Sequence, residues 1–319
     1  MEQNTRKDVA RLKDYLKIAR LDHWIKQLFV IPGFLFAVML VGITDFKTFL
    51  WRFVLGFMAT CFIASANYVI NEWLDAEFDK FHPVKKIRPA VGKGLSAKIV
   101  YTEYMVLAFA GLLLGWFCSL QVFVAVLALL VMGIIYNVKP MRSKDIPYLD
   151  VISESVNNAI RLLIGWFMVT DKYLPPITIV IGFWMGGAFL MATKRYAEYR
   201  MIGDKETAGI YRRSFKKYSE QSLLVSAFFY ALVSVFACGI FMIKYRIELL
   251  IAVIPMCALF AYYLNISYKA DSAAQKPEKL FREKGLMILV LIFIAITMAM
   301  MFIDIPSLNE LLETTLLGA

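Results

Sequence analysis

The chain has 319 residues, 60% of them hydrophobic and only 19% charged, with a mean hydropathy of +0.63 and a formal net charge of +10. Soluble domains are about 45–50% apolar, so this composition excludes a water-soluble globule and calls for a lipid-facing surface. The positive balance then reads as basic loops between apolar spans rather than a nucleic-acid interface, and Cys61, Cys118, Cys238 and Cys257 lie in apolar runs with neither metal spacing nor a disulfide pattern.

In chain order, residues 1–23 read as a cytoplasmic amphipathic segment, with Arg6, Lys7, Arg11, Lys13, Lys17 and Arg20 on the polar face of a surface helix over 1–20. A helical span needs about 20 apolar residues to cross about 30 Å of hydrocarbon. Runs near 24–44, 49–73, 97–117, 119–138, 148–169, 174–196, 219–243, 247–268 and 285–304 meet that need. They predict an all-α integral membrane protein, a bundle of nine transmembrane helices over 24–304. Their continuity excludes the alternation of a barrel. Residues 305–319 are left as a short tail on the opposite side, with a short interfacial helix over Ser307–Leu317. No linker divides the chain, so 1–319 reads as a single polytopic domain.

Of the 35 Lys and Arg residues, 28 fall in 1–23, 80–98, 139–144, 194–217 and 269–284, and five lie in the alternate loops. The positive-inside rule then puts the N-terminus and these five basic faces in the cytoplasm. The expected location is the cell (inner) membrane, multi-pass, with the active site facing the cytoplasm.

Charges at span ends mark function by default. Asn71, Asp75 and Asp79 recur at i, i+4 and i+8 and form one helical stripe; Glu72 lies beside it and Asn67 extends it a turn deeper. Oxygen ligands without His or Cys suit a hard octahedral cation that shares phosphate oxygens, which describes Mg²⁺ better than zinc. Asn71, Glu72, Asp75 and Asp79 are therefore the expected metal ligands and catalytic centre. The following His82-Pro83-Val84-Lys85-Lys86-Ile87-Arg88-Pro89 run supplies cations to grip the phosphates the metal bridges.

These residues resemble the first signature of the UbiA superfamily of intramembrane transferases, N-D-x-x-D-x-x-x-D, with Glu72 standing where Asp is usual. Within it the chain is most similar to the decaprenyl-phosphate phosphoribosyltransferase branch. The similarity rests on Arg20-Leu21-Asp22-His23-Trp24-Ile25-Lys26-Gln27-Leu28, on His82 to Pro89, on Asp150 to Arg161 with Gly165, and on Thr193-Lys194-Arg195-Tyr196-Ala197-Glu198. The resemblance covers about residues 16–200. It implies nine helices around a central cavity, a Mg²⁺ cofactor, and transfer of 5-phosphoribose from phosphoribosyl diphosphate to a polyprenyl phosphate of the cell envelope.

That substrate pair carries a diphosphate, a ribose phosphate and a lipid phosphate, all needing cations. Lys26, Lys85, Lys86, Arg88, Lys139, Arg142, Lys194 and Arg195 are the candidates on the cytoplasmic side. Arg161 lies about three turns into its span and needs an anionic or polar partner, with Asp150, Glu154, Asn157 and Asn158 on the same helix available. Glu198 is a candidate for metal or ribose hydroxyls, and Tyr136 and Tyr196 for phosphate or the interface belt. The competing reading is a prenyltransferase, in which a prenyl diphosphate ionises and alkylates an aromatic acceptor. It asks for carboxylates on both helices, whereas the second cluster here is Lys-Arg-x-x-Glu. A transporter would show inverted repeats, and none is apparent. Membrane lipids are the surrounding partners, a homo-oligomer is compatible with the sequence, and nucleic acid is not an expected partner.

Overall fold

A computed structural model describes residues 8–43, 45–80, 87–269, 272–275, 280 and 282–312. In chain order come β1 (Asp8–Val9), α1 (Leu12–Ile18), a 3-10 stretch (Leu21–Val30), α2 (Ile31–Val41), α3 (Phe46–Asp79), α4 (Pro89–Gly92), β2 (Lys93–Gly94), α5 (Ala97–Cys118) and α6 (Leu120–Asn137). A 3-10 turn (Ser143–Asp145) leads to α7 (Leu149–Val169), α8 (Ile177–Ile202) and α9 (Lys205–Tyr211). Then follow 3-10 segments at Arg213–Lys216, Ile247–Ala252 and Ala273–Gln275, interleaved with α10 (Glu220–Tyr245) and α11 (Val253–Ser267), and finally α12 (Lys284–Phe302) and α13 (Pro306–Leu312).

Among the described residues, eight helical stretches are long and apolar enough to cross a membrane: Leu12–Val41, Phe46–Glu77, Ala97–Cys118, Leu120–Asn137, Ile177–Ile202, Glu220–Tyr245, Ile247–Ser267 and Lys284–Phe302. The expected span at 148–169 falls on the 21-residue α7, which is not among these eight and carries Asp150, Glu154 and Arg161. This is an all-α, multi-pass membrane protein.

Local chemistry sets the breaks. Ser119 is extended and its Oγ accepts the Val122 N–H at 3.2 Å, so an N-cap splits one apolar run into α5 and α6. Gly203, at φ 73, closes α8, and Asp204 caps α9 by accepting the Thr207 N–H at 2.8 Å.

The N-terminal region differs from the expected continuous surface helix. Asp8–Val9 pair in parallel with Lys93–Gly94, and helix is confined to Leu12–Ile18 within the described part of 1–20. Tyr15, Ile18 and Ala19 are buried with Val69 and Val100, and Tyr15 Oη accepts the Ser96 N–H at 2.8 Å. Apolar contact with the protein's own helices removes that face from lipid, while Leu12 and Leu16 stay exposed.

The chain divides into two compact units, 1–175 with 204–217, and 176–203 with 218–319. In the first, α2, α3, α5, α6 and α7 enclose a core that includes Ile63, Ala66, Leu129, Ile164 and Trp166. The backbones of α7 and of the junction between the 3-10 stretch and α2 meet at glycines: a Cβ on Gly33 would strike the Leu162 carbonyl, and one on Gly165 the Val30 carbonyl. In the second, Ser234 on α10 donates to the Gly182 carbonyl of α8 at 2.8 Å, and Phe189 stacks on Phe260 at 4.6 Å. There Arg246 binds the Met300 and Ile303 carbonyls at 3.1 and 3.0 Å and pairs with Asp304 at 2.8 Å, closing the end of α12.

Because those glycine contacts are backbone against Cβ, Gly165→Ala is expected to destabilise the protein by on the order of 1–3 kcal/mol. Gly239→Ala, in α10 with open space around it, is the control. Thermal unfolding in detergent checks this; equal melting temperatures for the two variants would contradict the close crossing.

Candidate functional site

Helix α3 has 34 residues, about 51 Å of rise, against about 30 Å of hydrocarbon. Its ends therefore leave the apolar zone, and the stripe Asn71–Asp79 sits on its C-terminal turns. Carboxylates one turn apart repel each other, and Glu72, Asp75 and Asp79 on this stretch are each met by a cation.

Asp75 is the most heavily engaged. Its Oδ1 accepts from Arg142 Nη2 at 2.8 Å and from Lys144 Nζ at 2.6 Å. Lys144 also donates to Asn137 Oδ1 at 2.8 Å, the same oxygen that receives the Asn71 amide. Arg142 reaches the Asn137 carbonyl at 3.2 Å, and its Nε lies 3.0 Å from Asp145, which Arg213 approaches at 3.5 Å. Asp79 accepts from Arg88 at 2.6 Å. Glu72, 2% exposed, accepts from Arg20 Nη2 at 2.9 Å and Nε at 3.3 Å, and the guanidinium lies 5.5 Å from the Tyr68 ring centre. Burial pushes the Lys144 ammonium below its ordinary value, partly offset by Asp75.

Arg20 and Arg142 both have positive φ, 51° and 27°. Non-glycine residues rarely adopt this region, and such strain gathers where surrounding contacts over-determine the backbone. Here the two strained arginines are the ones that grip Glu72 and Asp75.

The other expected residues fall as follows. Asn67 donates to the Leu129 carbonyl at 2.9 Å and keeps a buried Oδ1 without a hydrogen-bond partner. Tyr136 donates to Glu154 at 2.9 Å, and its ring lies 5.8 Å from Lys144 Nζ. Lys26 Nζ lies 3.3 Å from His23 Nδ1, and Lys139 is exposed. Arg161 meets Gln27 at 2.8 Å and Asn158 at 3.4 Å, rather than Asp150, which bonds Ser214 at 3.0 Å. His82, Lys85 and Lys86 lie outside the described residues. In the second unit, Arg195 (1% exposed) and Glu198 (6%) are buried on α8, 3.7 Å apart, while Lys194 beside them is partly exposed and Tyr196 donates to Glu220 at 3.2 Å.

Sequence reasoning missed Lys144, Asn137, Asp145 and Gln27 as site neighbours. Lys144 reads as one more topogenic charge, Asn137 as an isolated amide and Gln27 as a motif position without a role of its own; contacts bridging 66 or more positions reveal these three.

The donor chemistry fits Mg²⁺. Among the described residues no three His, Cys, Asp or Glu side chains converge into a metal cage. Mg²⁺ needs less: one or two carboxylates, with waters and substrate phosphates completing the octahedron. Asp75 and Asp79 are two carboxylates a turn apart on one face, paired with Arg88 and with Arg142 and Lys144.

Arg20→Gln strips the counter-charge from a buried carboxylate and is expected to cost on the order of 3 kcal/mol. The double variant with Glu72→Gln should recover part of that loss in thermal unfolding; strictly additive losses would mean the two side chains do not interact.

A model of the UbiA prenyltransferase family matches residues 29–285. A decaprenyl-phosphate phosphoribosyltransferase of Mycolicibacterium smegmatis is 27% identical over 208 residues, 65% of this chain and 63% of that protein. The chain thus spans under two thirds of the relative's length. A protein of the same description from Mycobacterium tuberculosis is 24% identical over 65% of this chain and 67% of its own. Among solved structures, a UbiA homologue from Archaeoglobus fulgidus bound to DMAPP and Mg²⁺ superposes with a TM-score of 0.67 at 19% identity, over 91% of this chain and 100% of its own, and the same homologue bound to GPP and Mg²⁺ gives 0.66 at 20% with the same coverage. With the family model spanning most of its length and the fold agreeing, the chain belongs to the UbiA prenyltransferase family.

Proposed function

We propose that this protein transfers 5-phosphoribose from phosphoribosyl diphosphate to a polyprenyl phosphate lipid and releases diphosphate, with Mg²⁺ as cofactor. The observation that carries the reading is the set of cations gathered at the acidic stripe: Arg142 and Lys144 on Asp75, Arg88 on Asp79, Arg20 on Glu72. A substrate pair with three phosphoryl groups calls for such cations, and the relatives named for phosphoribosyl transfer support the same choice. We further read the chain as nine spans in one polytopic domain of the inner membrane, with the N-terminus and the site on the cytoplasmic side.

In this reading Asp75 and Asp79, with Asn71, hold Mg²⁺, which when bound neutralises charge gathering on the departing diphosphate. Arg88, Arg142 and Lys144 bind diphosphate oxygens directly. The bond from ribose C1 to the diphosphate oxygen breaks, its electron pair leaving with diphosphate, and an oxygen of the lipid phosphate forms the new bond to C1. Lys26, Lys85, Lys86 and Lys139 provide further phosphate contacts, and Asn67 and Tyr136 polar ones. Glu72, tied to Arg20, contributes to the metal site from beside the stripe.

A second reading, transfer of a prenyl group from a prenyl diphosphate, is favoured by the homologue whose structures hold DMAPP or GPP with Mg²⁺. The two are separated by offering purified protein each donor with its acceptor. Phosphoribosylated lipid is the expected product; diphosphate release only with a prenyl diphosphate and an aromatic acid would select the second. Asp75→Asn and Asp79→Asn should each lower Mg²⁺-dependent turnover by on the order of 10²-fold or more in folded protein. Wild-type rates in either would remove that residue from the reaction.

A further inference from the structure

Arg161 differs from Arg20, Arg52, Arg88, Arg142 and Lys144, each of which meets a carboxylate. It sits on α7 twelve residues beyond the helix start, about 18 Å of rise. Its Nε donates to Gln27 Oε1 at 2.8 Å and its Nη1 reaches Asn158 Oδ1 at 3.4 Å. Both partners are neutral amides, and no carboxylate among the described residues lies within ion-pair distance. Nη2 has no hydrogen-bond partner among them, and the side chain is partly exposed. Gln27 is wholly buried; since its oxygen receives the guanidinium, its unpartnered Nε2 is a second donor with nothing to donate to. Glu154, the carboxylate that acts on Arg161 from further off, is already engaged by Tyr136.

An arginine within a membrane-spanning bundle pairs with an acid, or lines a polar path, or serves a substrate. Arginine with orphan donors around it asks for an anion that accepts several hydrogen bonds. On α3, which packs against α7, Cys61, Tyr68 and Asp75 share a face at seven-residue spacing. Tyr68 stands about 10 Å of rise from Asp75, comparable with the span of one pentose carrying a phosphate at each end.

We propose that Arg161, oriented by Gln27 and Asn158, is a second anion site, for a phosphate monoester, deeper along α3 than the diphosphate stripe. It rests on the phosphoribosyl reading for its place in the reaction. The monoester is either the 5-phosphate of the donor or the phosphate of the lipid acceptor.

The test uses the full-length protein in lipid nanodiscs, with Gln27→Glu as the central variant. This isosteric change keeps an oxygen facing Arg161 Nε, supplies the missing counter-charge, and so preserves the fold while disfavouring a bound anion. The probes are phosphoribosyl diphosphate, its 5-dephospho analogue and a short polyprenyl phosphate, read by shifts in unfolding temperature and by KM and kcat. Gln27→Glu and Arg161→Gln should raise KM for one phosphate-bearing substrate about tenfold or more, with a smaller change in kcat and loss of that substrate's thermal shift. Loss of preference for phosphoribosyl diphosphate over its 5-dephospho analogue assigns the donor phosphate. Retained preference with a raised KM for polyprenyl phosphate assigns the lipid. Unchanged KM and unchanged thermal shifts with all three probes in folded Gln27→Glu overturn the proposal. Should wild-type protein turn over no phosphoribosyl diphosphate, the proposed function falls. The thermal shifts then decide alone: their loss in Gln27→Glu supports the anion site, and their retention overturns it.

Discussion

The grip of Arg142 and Lys144 on Asp75 is the interaction on which the loop end of α3 in the first unit depends. Four positions on the last turns of α3 each hold a different stretch of chain: Asn71 reaches α6 through Asn137, Glu72 holds Arg20, Asp75 holds the segment after α6, and Asp79 holds Arg88. Unpaired, these carboxylates would repel along the helix; paired, they fasten loops that have little apolar surface of their own. The same groups that suit a metal and a diphosphate thus organise the polypeptide around them. The left-handed backbones of Arg20 and Arg142 are the local strain accepted for this arrangement.

Helix α7 solves the opposite problem, bringing charge into the bundle. Its polar residues do not neutralise one another. Asp150 bonds Ser214, Glu154 accepts from Tyr136, and Arg161 turns to Gln27. Each therefore ties α7 to another element, and each remains chemically distinct. A helix whose charges paired internally would be easier to bury and would leave nothing for a ligand.

Periodicity and charge made the spans and the acidic stripe legible, because both are local: a run of apolar residues, and oxygens repeating every fourth position. The family resemblance was legible for the same reason, carried by contiguous motifs. What stayed hidden depends on distant contacts. Lys144 is indistinguishable in sequence from the other cations of a basic loop until Asp75 is placed against it. Gln27 sits in an apolar stretch expected to be plain α-helix, yet Leu21–Val30 is wound as 3-10 helix, which changes the face each side chain presents. The N-terminal segment looked suited to a membrane surface because its apolar face is real; Val69 and Val100, rather than lipid, cover part of it.

The glycine crossing described for Gly33 and Gly165 has a bearing on traffic. With backbone against backbone at both levels, the seam between α2 and α7 has no width for an isoprene unit. In the phosphoribosyl reading, the acceptor's chain therefore cannot slide in sideways through that seam, and its route from the bilayer must run between other helices.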